Sequence, residues 1–595
     1  MTWFRTRRKR TYEIAPDEIF LDSSNLPSHN ERQFEGRVDH PVSGRAIWSV
    51  GIAFFVLASV FTARAYSLQI SQGENFTNIS RNNRLDKSLI FAMRGIIYDR
   101  TGRELAWNES APSVRADVAI DSATSSVFAL RKYSSLPGLS HLIGFVRYPK
   151  ADANGTWWRE DYAGISGVEL SFDDVLKGTN GSTMRETDAR AHVVRENLVA
   201  LPQNGADIKL SIDAGVQSEL YKMLSAHAAA NRFNGGASVI MDVQTGEILA
   251  LASFPEYDHT AFTEGNARAV RDAINNPRTP MLNRAVAGAY TPGSIVKPIF
   301  AAAALKEGII SPDKQILSTG AIKIPNPYDP EHPSVFRDWA VHGLVDMRTA
   351  LAVSSDEYFY TIGGGYAGQK GLGVNLLDQY ARAFGLSAPT GIALVGEVSG
   401  VIPTPAWKES VFGTDDPWRI GDTYHTAIGQ YGFQITPIQA VRYVSAIANG
   451  GKLLTPQLLA RPVRSQTSDS NAKIPETSNG AGSTPEYTEV GIPDEYLQVV
   501  REGMRLAVTS TRKDATVKFF NIGGIHIAAK TGTAQTGAKN ESMNSWSIGF
   551  WPSENPRFAY ATVLEKAPAG TLAGAAPAML PFFRWLMVHR PEYIY

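Results

Sequence analysis

Tyr290-Thr291-Pro292-Gly293-Ser294-Ile295-Val296-Lys297 runs through Pro298 into the apolar stretch Ile299–Leu305, so a Pro-Gly turn passes directly into a helix. That reading sets Ser294 at or near the helix N-terminus, with Lys297 one turn on and on the same face. A serine hydroxyl attacks a carbonyl only when a base takes its proton, and a lysine partly out of water near other cations can be neutral enough to do so. The free amides of the helix end could steady an oxyanion. The tetrapeptide alone is weak evidence, because Ser-x-x-Lys occurs four times, at Ser294, Ser311, Ser470 and Ser510. Ser311 precedes a proline in a turn, Ser470 lies in a low-complexity run, and Ser510 sits in a charged segment. The plain alternative for Ser294 is an N-cap serine beside a solvated lysine.

Two further motifs follow in order. Ser354-Ser355-Asp356 lies 60 residues after Ser294, in a loop or helix start, where a capping role is the ordinary reading. Lys530-Thr531-Gly532-Thr533 closes a strand-like run from Gly524, and Lys-Thr-Gly occurs only there. A glycine at a strand end lets a ligand backbone lie alongside, and two threonine hydroxyls with a lysine can hold a carboxylate.

Around these motifs the chain changes character more than once. Residues 1–45 mix charge with Pro, Ser and Asn and read as a mostly disordered arm. From about 66 to 205, short apolar runs alternate with Gly and Pro, which reads as strands and turns with a helix near Phe172–Lys177. Ala206–Ile212 reads as a strand, Gly215–Asn231 as a helix, and Gly236–Phe254 as a hairpin about Gln244-Thr245-Gly246. Helices dominate from 294 to about 445, strands return at 522–535 and 545–565, and a helix carrying Leu580, Phe583, Trp585 and Leu586 closes the chain. The Ser/Thr/Asn/Gly run 465–486 reads as a flexible insertion.

Ala46–Ala63 holds eighteen residues without a charge between Arg45 and Arg64, enough to cross most of a ~30 Å hydrocarbon core as a helix. Ala63-Arg64-Ala65 could serve a signal peptidase, but a 45-residue leader and the length of the run favour an uncleaved anchor over 46–64. Five basic side chains among the first ten residues (Arg5, Arg7, Arg8, Lys9, Arg10) keep the N-terminus cytoplasmic and place the rest outside.

Composition removes several classes of function. Lys plus Arg equals Asp plus Glu at 58 each, so the basic surplus of a general nucleic-acid binder is missing. Without cysteine there is no thiol nucleophile, no disulfide scaffold and no Cys-ligated metal.

Ser-x-x-Lys, then Ser-x-Asp, then Lys-Thr-Gly follows the motif order of penicillin-binding proteins and class A β-lactamases. The chain resembles a class B penicillin-binding protein, a membrane-anchored peptidoglycan D,D-transpeptidase. Arg94-Gly95-Ile96-Ile97-Tyr98-Asp99-Arg100 is similar to the start of that family's pedestal domain, as are Asn83-Arg84 before it and Gly164–Glu169 with Leu176-Lys177-Gly178 after it. Leu210–Asp213 with Gln217, Asn283-Arg284, Gly429-Gln430 and Thr436–Gln439 resemble segments of its transpeptidase domain. The resemblance implies a mixed α/β fold: an antiparallel sheet covered by helices over 206–595, standing on a β-rich pedestal over 65–205, behind one transmembrane helix.

The resemblance also implies roles. Ser294 would attack the bond between the terminal D-alanines of a stem peptide, with Lys297 as base and Ser354 passing a proton to the departing amine. Lys530 would supply charge beside Ser354, Thr531 and Thr533 would bind the terminal carboxylate with Gly532 as a further substrate-binding residue, and the amides of Ser294 and Thr533 would hold the oxyanion. A β-lactam would mimic the donor. Asp356 stands where most relatives have Asn; a carboxylate cannot donate a hydrogen bond as an amide does, and it could pair with Lys297 and weaken it as a base. Asp at this place, with Trp418-Arg419-Ile420-Gly421-Asp422-Thr423, is similar to the elongation-type subgroup of penicillin-binding protein 2. The implied partner is a RodA-like SEDS glycosyltransferase within an elongation complex.

Some members of that subgroup carry zinc partly through cysteine. Asp329, His332, Asp338 and His342 are present here, with turn and surface roles as the stronger reading and no metal or other cofactor expected. Gly363, Gly365 and Gly368 match a dinucleotide pattern but follow a helical segment, which argues against such a site. A septal transpeptidase, a non-catalytic scaffold that activates a glycosyltransferase, and an anchored β-lactamase or β-lactam sensor are the rival readings.

Overall fold

The computed structural model describes residues 43–594 apart from 83–84, 110–127, 154–155, 188–192, 327–328, 330, 462–484 and 538. Nearly all of the N-terminal arm and of the low-complexity insertion, and Asn83-Arg84, therefore lie outside the described residues. By contacts the chain divides into one unit up to Asp86 with Arg185–Arg195, and a second of Lys87–Met184 with Glu196–Tyr595.

In the first unit, Gly44–Tyr66 is an α-helix capped by Ser43, whose hydroxyl accepts the Ala46 N–H. Ile47, Trp48, Phe54, Phe55 and Phe61 are all exposed, an arrangement that water does not favour. The helix runs on through a π turn to Ser71 and, among the described residues, is alone in being long and apolar enough to cross a membrane.

The second unit is built on a five-stranded antiparallel sheet. Its strands are β1 (Gly235–Asp242), β2 (Ile248–Phe254), β3 (Ala528–Thr536), β4 (Ser542–Trp551) and β5 (Phe558–Pro568), in the order β2-β1-β5-β4-β3. β1, β4 and β5 read as almost unbroken buried runs because both faces of the sheet are covered. Helices α1 (Ala214–Ala230), α2 (Lys297–Lys306), α3 (Met347–Val353), α4 (Asp356–Gly364), α5 (Pro437–Ala448), α6 (Asp494–Thr509) and α7 (Ala575–His589) supply the cover. α1 and α7 pack together against the sheet, while α5 lies on β1, β4 and β5. α2 is apolar all round and is buried from Lys297 to Leu305, packed among α3, α4 and α6.

The hairpin and the helices over 214–230 and 575–589 form where the sequence sets them. Two expectations need correction, the strand reading from 66, where Ser67–Ser71 and Gly73–Asn82 are helical, and the strand over Ala206–Ile212; two others gain detail. The apolar run over 545–565 contains two strands, separated by a turn after Trp551. Ala206–Ile212 shortens to a two-residue strand, Ile208–Lys209, paired in parallel with Ile97–Tyr98. The helical region after 294 also holds short strand pairs, 316–318 with 343–345 and 321–324 with 334–337.

The segment after Lys87 meets the sheet domain through named bonds. Arg100 N–H donates to the Ile212 carbonyl at 2.9 Å, Ala214 N–H donates to Asp99 Oδ2 at 3.1 Å, and Arg100 pairs with Glu247 at 3.0 Å. Gln217 Nε2 donates to the Gly138 and Leu251 carbonyls, tying this segment to β2. Its own core is fixed by a buried ion cluster. Glu169 accepts Arg94 Nε at 2.6 Å and Arg131 Nε at 2.8 Å, and Arg94 also meets Asp173 at 2.7 Å. Burial works against the Glu169 charge, but the two guanidinium groups outweigh it and hold the carboxyl below its usual range. Glu169→Gln takes from buried Arg131 its carboxylate partner and leaves buried Arg94 with Asp173 alone, so it is expected to destabilise by about 3–5 kcal/mol. A lower urea midpoint for loss of near-UV circular dichroism would register this, and an unchanged midpoint would refute it.

Candidate active site

Ser294 sits in a 3₁₀ turn, Gly293–Val296, that opens α2. Three residues make one turn of such a helix, so Ser294 and Lys297 share a face. The turn is pinned on every side. Gly293 N–H donates to the Gly429 carbonyl at 2.9 Å, Tyr443 OH donates to the Ile295 carbonyl at 2.7 Å, and Trp546 Nε1 donates to the Thr291 carbonyl at 3.0 Å. Gly293 has φ +57°, and a Cβ there would lie 2.5 Å from the Thr533 carbonyl oxygen. A Cβ on Gly532 would lie 2.6 Å from the Pro292 carbonyl oxygen. These two glycines let the nucleophile turn and the edge strand β3 touch backbone to backbone.

The middle motif lies at the junction of α3 and α4. Ser354 closes α3 in the left-handed region, φ +60°, and Ser355 caps α4. Ser354 is nearly buried and faces both lysines. Its hydroxyl accepts Lys530 Nζ at 2.7 Å and lies 3.5 Å from Lys297 Nζ, and its carbonyl accepts Lys297 Nζ at 2.8 Å. Asp356 Oδ1 pairs with Lys297 at 2.6 Å, the contact anticipated for a carboxylate at this position. Both lysine side chains are inaccessible to solvent. Burial, reinforced by the Lys297 charge and opposed by Asp356, holds the Lys530 ammonium well below the ordinary lysine range.

Lys297, Ser354, Asp356 and Lys530 thus come together from α2, the α3–α4 junction and β3, beside the turn that carries Ser294. Thr531, Gly532 and Thr533 lie on the edge strand of the sheet, with Gly532 buried and Thr533 exposed, and Gln430 Nε2 donates to the Thr533 carbonyl at 3.3 Å. An unpaired sheet edge is the element that accepts an extended peptide.

The four residues weighed as metal ligands divide into two pairs. Asp329 and His332 pair in an exposed turn at 2.9 Å, in line with a surface role. Asp338 and His342 correct that reading: both side chains are fully buried, directly behind the middle motif. Asp338 and Asp514 lie at opposite nitrogens of the His342 ring, so one ion cannot bind all three, and these residues do not fit a zinc site. Sequence reasoning missed Tyr443, Trp546, Glu357 and the partner of His342, Asp514, because each acts across a long stretch of chain. Glu357 lies beside the motif yet accepts from Ser318, Thr319 and Gly320.

Residues 236–584 match the family model of the penicillin-binding protein transpeptidase domain, and residues 119–210 match that of the penicillin-binding protein dimerisation domain. The chain is 29% identical over 608 aligned residues to the peptidoglycan D,D-transpeptidase MrdA of Escherichia coli strain K12, covering 88% of this chain and 91% of that one. Penicillin-binding protein PBP2 of Pseudomonas aeruginosa, solved with WCK 5153, superposes with a TM-score of 0.64 at 25% identity, covering 85% of this chain and 98% of that one. A chain solved in a peptidoglycan synthase complex that coordinates polymerization and crosslinking superposes at 0.65 and 25% identity, covering 92% and 98%.

Proposed function

We propose, from the premise that this chain belongs to the penicillin-binding protein transpeptidase family, that Ser294 is the acyl-accepting nucleophile of a peptidoglycan D,D-transpeptidase of the elongation type. One observation carries the assignment: Lys297, Ser354 and Lys530, distant in sequence, meet within hydrogen-bond reach behind the Ser294 turn. The donor stem peptide lies along β3 with its terminal carboxylate at Thr531, Gly532 and Thr533. Ser294 Oγ attacks the carbonyl of the penultimate D-alanine while Lys297, in its deprotonated form, takes the serine proton. Asp356, already paired with Lys297, stabilises the charge that gathers there. The amides of Ser294 and Thr533, brought side by side by Gly293, receive the oxyanion. Ser354, bonded to Lys530, hands a proton to the leaving D-alanine, and the amine of a neighbouring strand then takes the acyl group. A β-lactam opens on the same serine and stays as an ester.

The exposed helix Gly44–Ser71 is the membrane anchor, since 28 residues at 1.5 Å each exceed the ~30 Å core. The basic N-terminus lies in the cytoplasm and the folded domains lie outside it, with the pedestal over 65–205 and the transpeptidase domain over 206–595. Likeness to a chain from a synthase complex supports a membrane glycosyltransferase of the RodA-like SEDS type as partner.

The pH dependence of acylation tests the charge arrangement. The Asp356 carboxylate draws Lys530 upward, against burial and the Lys297 charge. Asp356→Asn removes that pull, so the Lys530 ammonium falls further and the limb of the pH–rate profile set by Lys530 moves to lower pH. Stopped-flow acylation by a chromogenic penicillin would read the shift, and a limb moving to higher pH would contradict it.

A further inference from the structure

Directly behind the middle motif, Asp338 grips the two residues that flank Asp356. Its Oδ2 accepts the Ser355 hydroxyl at 2.7 Å and the Glu357 N–H at 2.9 Å. Its Oδ1 accepts the Trp339 N–H at 2.7 Å and faces His342 Nε2 at 3.4 Å. On the other side of the ring, His342 Nδ1 lies 2.8 Å from Asp514 Oδ2. Arg512 clamps Asp514 through two nitrogens at 3.0 and 2.8 Å, and donates to the His342 carbonyl at 2.8 Å. Trp339 packs on the imidazole with ring centroids 5.1 Å apart, and its indole N–H donates to the carbonyl of Val353, the residue before Ser354.

Both imidazole nitrogens therefore face carboxylate oxygens. Nδ1 is hydrogen-bonded to Asp514, whereas the buried Nε2 makes no hydrogen bond and meets Asp338 only as a charge contact; a doubly protonated ring is attracted to both carboxylates, and a neutral ring would turn a lone pair toward one of them. The loop held in this way is a strained one, because Ser354 is a non-glycine residue at φ +60°. A loop in that state needs surrounding structure to fix it, and its carbonyl and hydroxyl are what the two lysines bind.

We propose that His342 is a positioning residue for this reaction: as an imidazolium bridging Asp338 and Asp514, it ties the 512–514 segment to the Ser354–Asp356 loop and does by a proton what a bridging metal would otherwise do. The inference rests on the reading of the active site given above. Burial disfavours the imidazolium, but the neighbouring carboxylates of Asp338 and Asp514 outweigh it and raise the ring above its usual 6.5. The same contacts, with the Glu357 amide, the Lys297 charge and Ser355, overcome burial and bring Asp338 down to about 2. The charges facing the ring are thus Asp338 and Asp514, with Lys297 beyond the first and Arg512 beyond the second. A raised imidazolium is present below 6.5 and lost as pH rises through its folded value, so the tie holds on the acid side and loosens on the alkaline side.

The test uses the full chain in detergent, with acylation by a fluorescent penicillin followed across the neutral range for wild type, His342→Gln and Asp514→Asn. Thermal melting of each is measured alongside, and the wild type is also assayed with a chelator and with added zinc. Both variants are expected to fold and bind penicillin with nearly the wild-type encounter affinity, yet to acylate about tenfold or more slowly, as loss of an orienting partner commonly does. His342→Gln is further expected to lack the alkaline loss of rate caused by the imidazolium, and neither chelator nor zinc should alter the wild type. Where His342→Gln does not fold, Asp514→Asn, which keeps the Asp338 contact, decides by its rate in the same way. A folded variant with the wild-type rate and profile would overturn the proposal, as would activity lost to the chelator and restored by zinc. Absence of any acylation in the wild type would instead remove the active-site reading on which the proposal stands.

Discussion

Full-length Ser294→Ala is expected to gain no mass on incubation with penicillin G, under conditions in which the wild type gains one equivalent that maps to Ser294. The substitution deletes a single oxygen from a turn fixed by backbone bonds to Gly429, Tyr443 and Trp546, none of which uses the serine hydroxyl. The melting temperature should therefore be unchanged. Without the nucleophile no covalent ester can form, and acylation should fall by about 10⁴-fold or more, as when the nucleophile of a comparable serine site is removed. The other Ser-x-x-Lys serines are not expected to substitute for it. Ser510 accepts the Arg512 N–H as an ordinary turn serine, Ser311 heads a turn closed by the Lys314 N–H, and Ser470 lies outside the described residues. An adduct persisting at full yield in Ser294→Ala would reassign the nucleophile.

Lys297→Met should be nearly as damaging by a different route. The thioether fills about the volume of the lysine stem within α2, so packing survives while the amine is lost. The serine then has no base, and acylation is expected to slow by about 10²–10⁴-fold, the usual contribution of general base catalysis. The change also leaves Asp356 without its partner at 2.6 Å and Ser354 with one ammonium instead of two. Lys297→Met is therefore expected to lower the melting temperature, and adding Asp356→Asn to restore much of that loss without restoring the rate. A double variant that recovered both would make Lys297 a structural cation. A single variant acylating at the wild-type rate would pass the proton-accepting role to Lys530, the lysine held below its ordinary range.

The chemistry of this chain was legible where it is local. Ser294 and Lys297 lie within one turn, a proline and a glycine announce that turn, and the apolar run behind it could only be a buried helix; α2 is that helix. The strand at Lys530 and the hairpin over β1 and β2 carry their own patterns. The pairing of Asp356 with Lys297 followed from charge, once the motifs were taken to share one site. What the sequence hid acts across distance or in very short pieces. Strands of three or four residues between 316 and 345 are too short for alternation to register. Asp338 and His342 sit in a mixed stretch without helix or strand periodicity, and only the fold shows Asp514, 172 residues further on, closing over the ring. Gly429-Gln430 resembles a family segment, but only the fold shows the Gly429 carbonyl holding Gly293.

The most direct test supplies the full-length chain with un-cross-linked glycan strands bearing stem peptides that end in D-Ala-D-Ala, together with a membrane glycosyltransferase partner. Released D-alanine and muropeptide dimers are then counted by liquid chromatography and mass spectrometry. Dimers formed in step with D-alanine, blocked by penicillin and missing with Ser294→Ala, are the expected result. D-alanine released without dimers would make the protein a hydrolase, and dimers formed equally well by Ser294→Ala would contradict the assignment of the site.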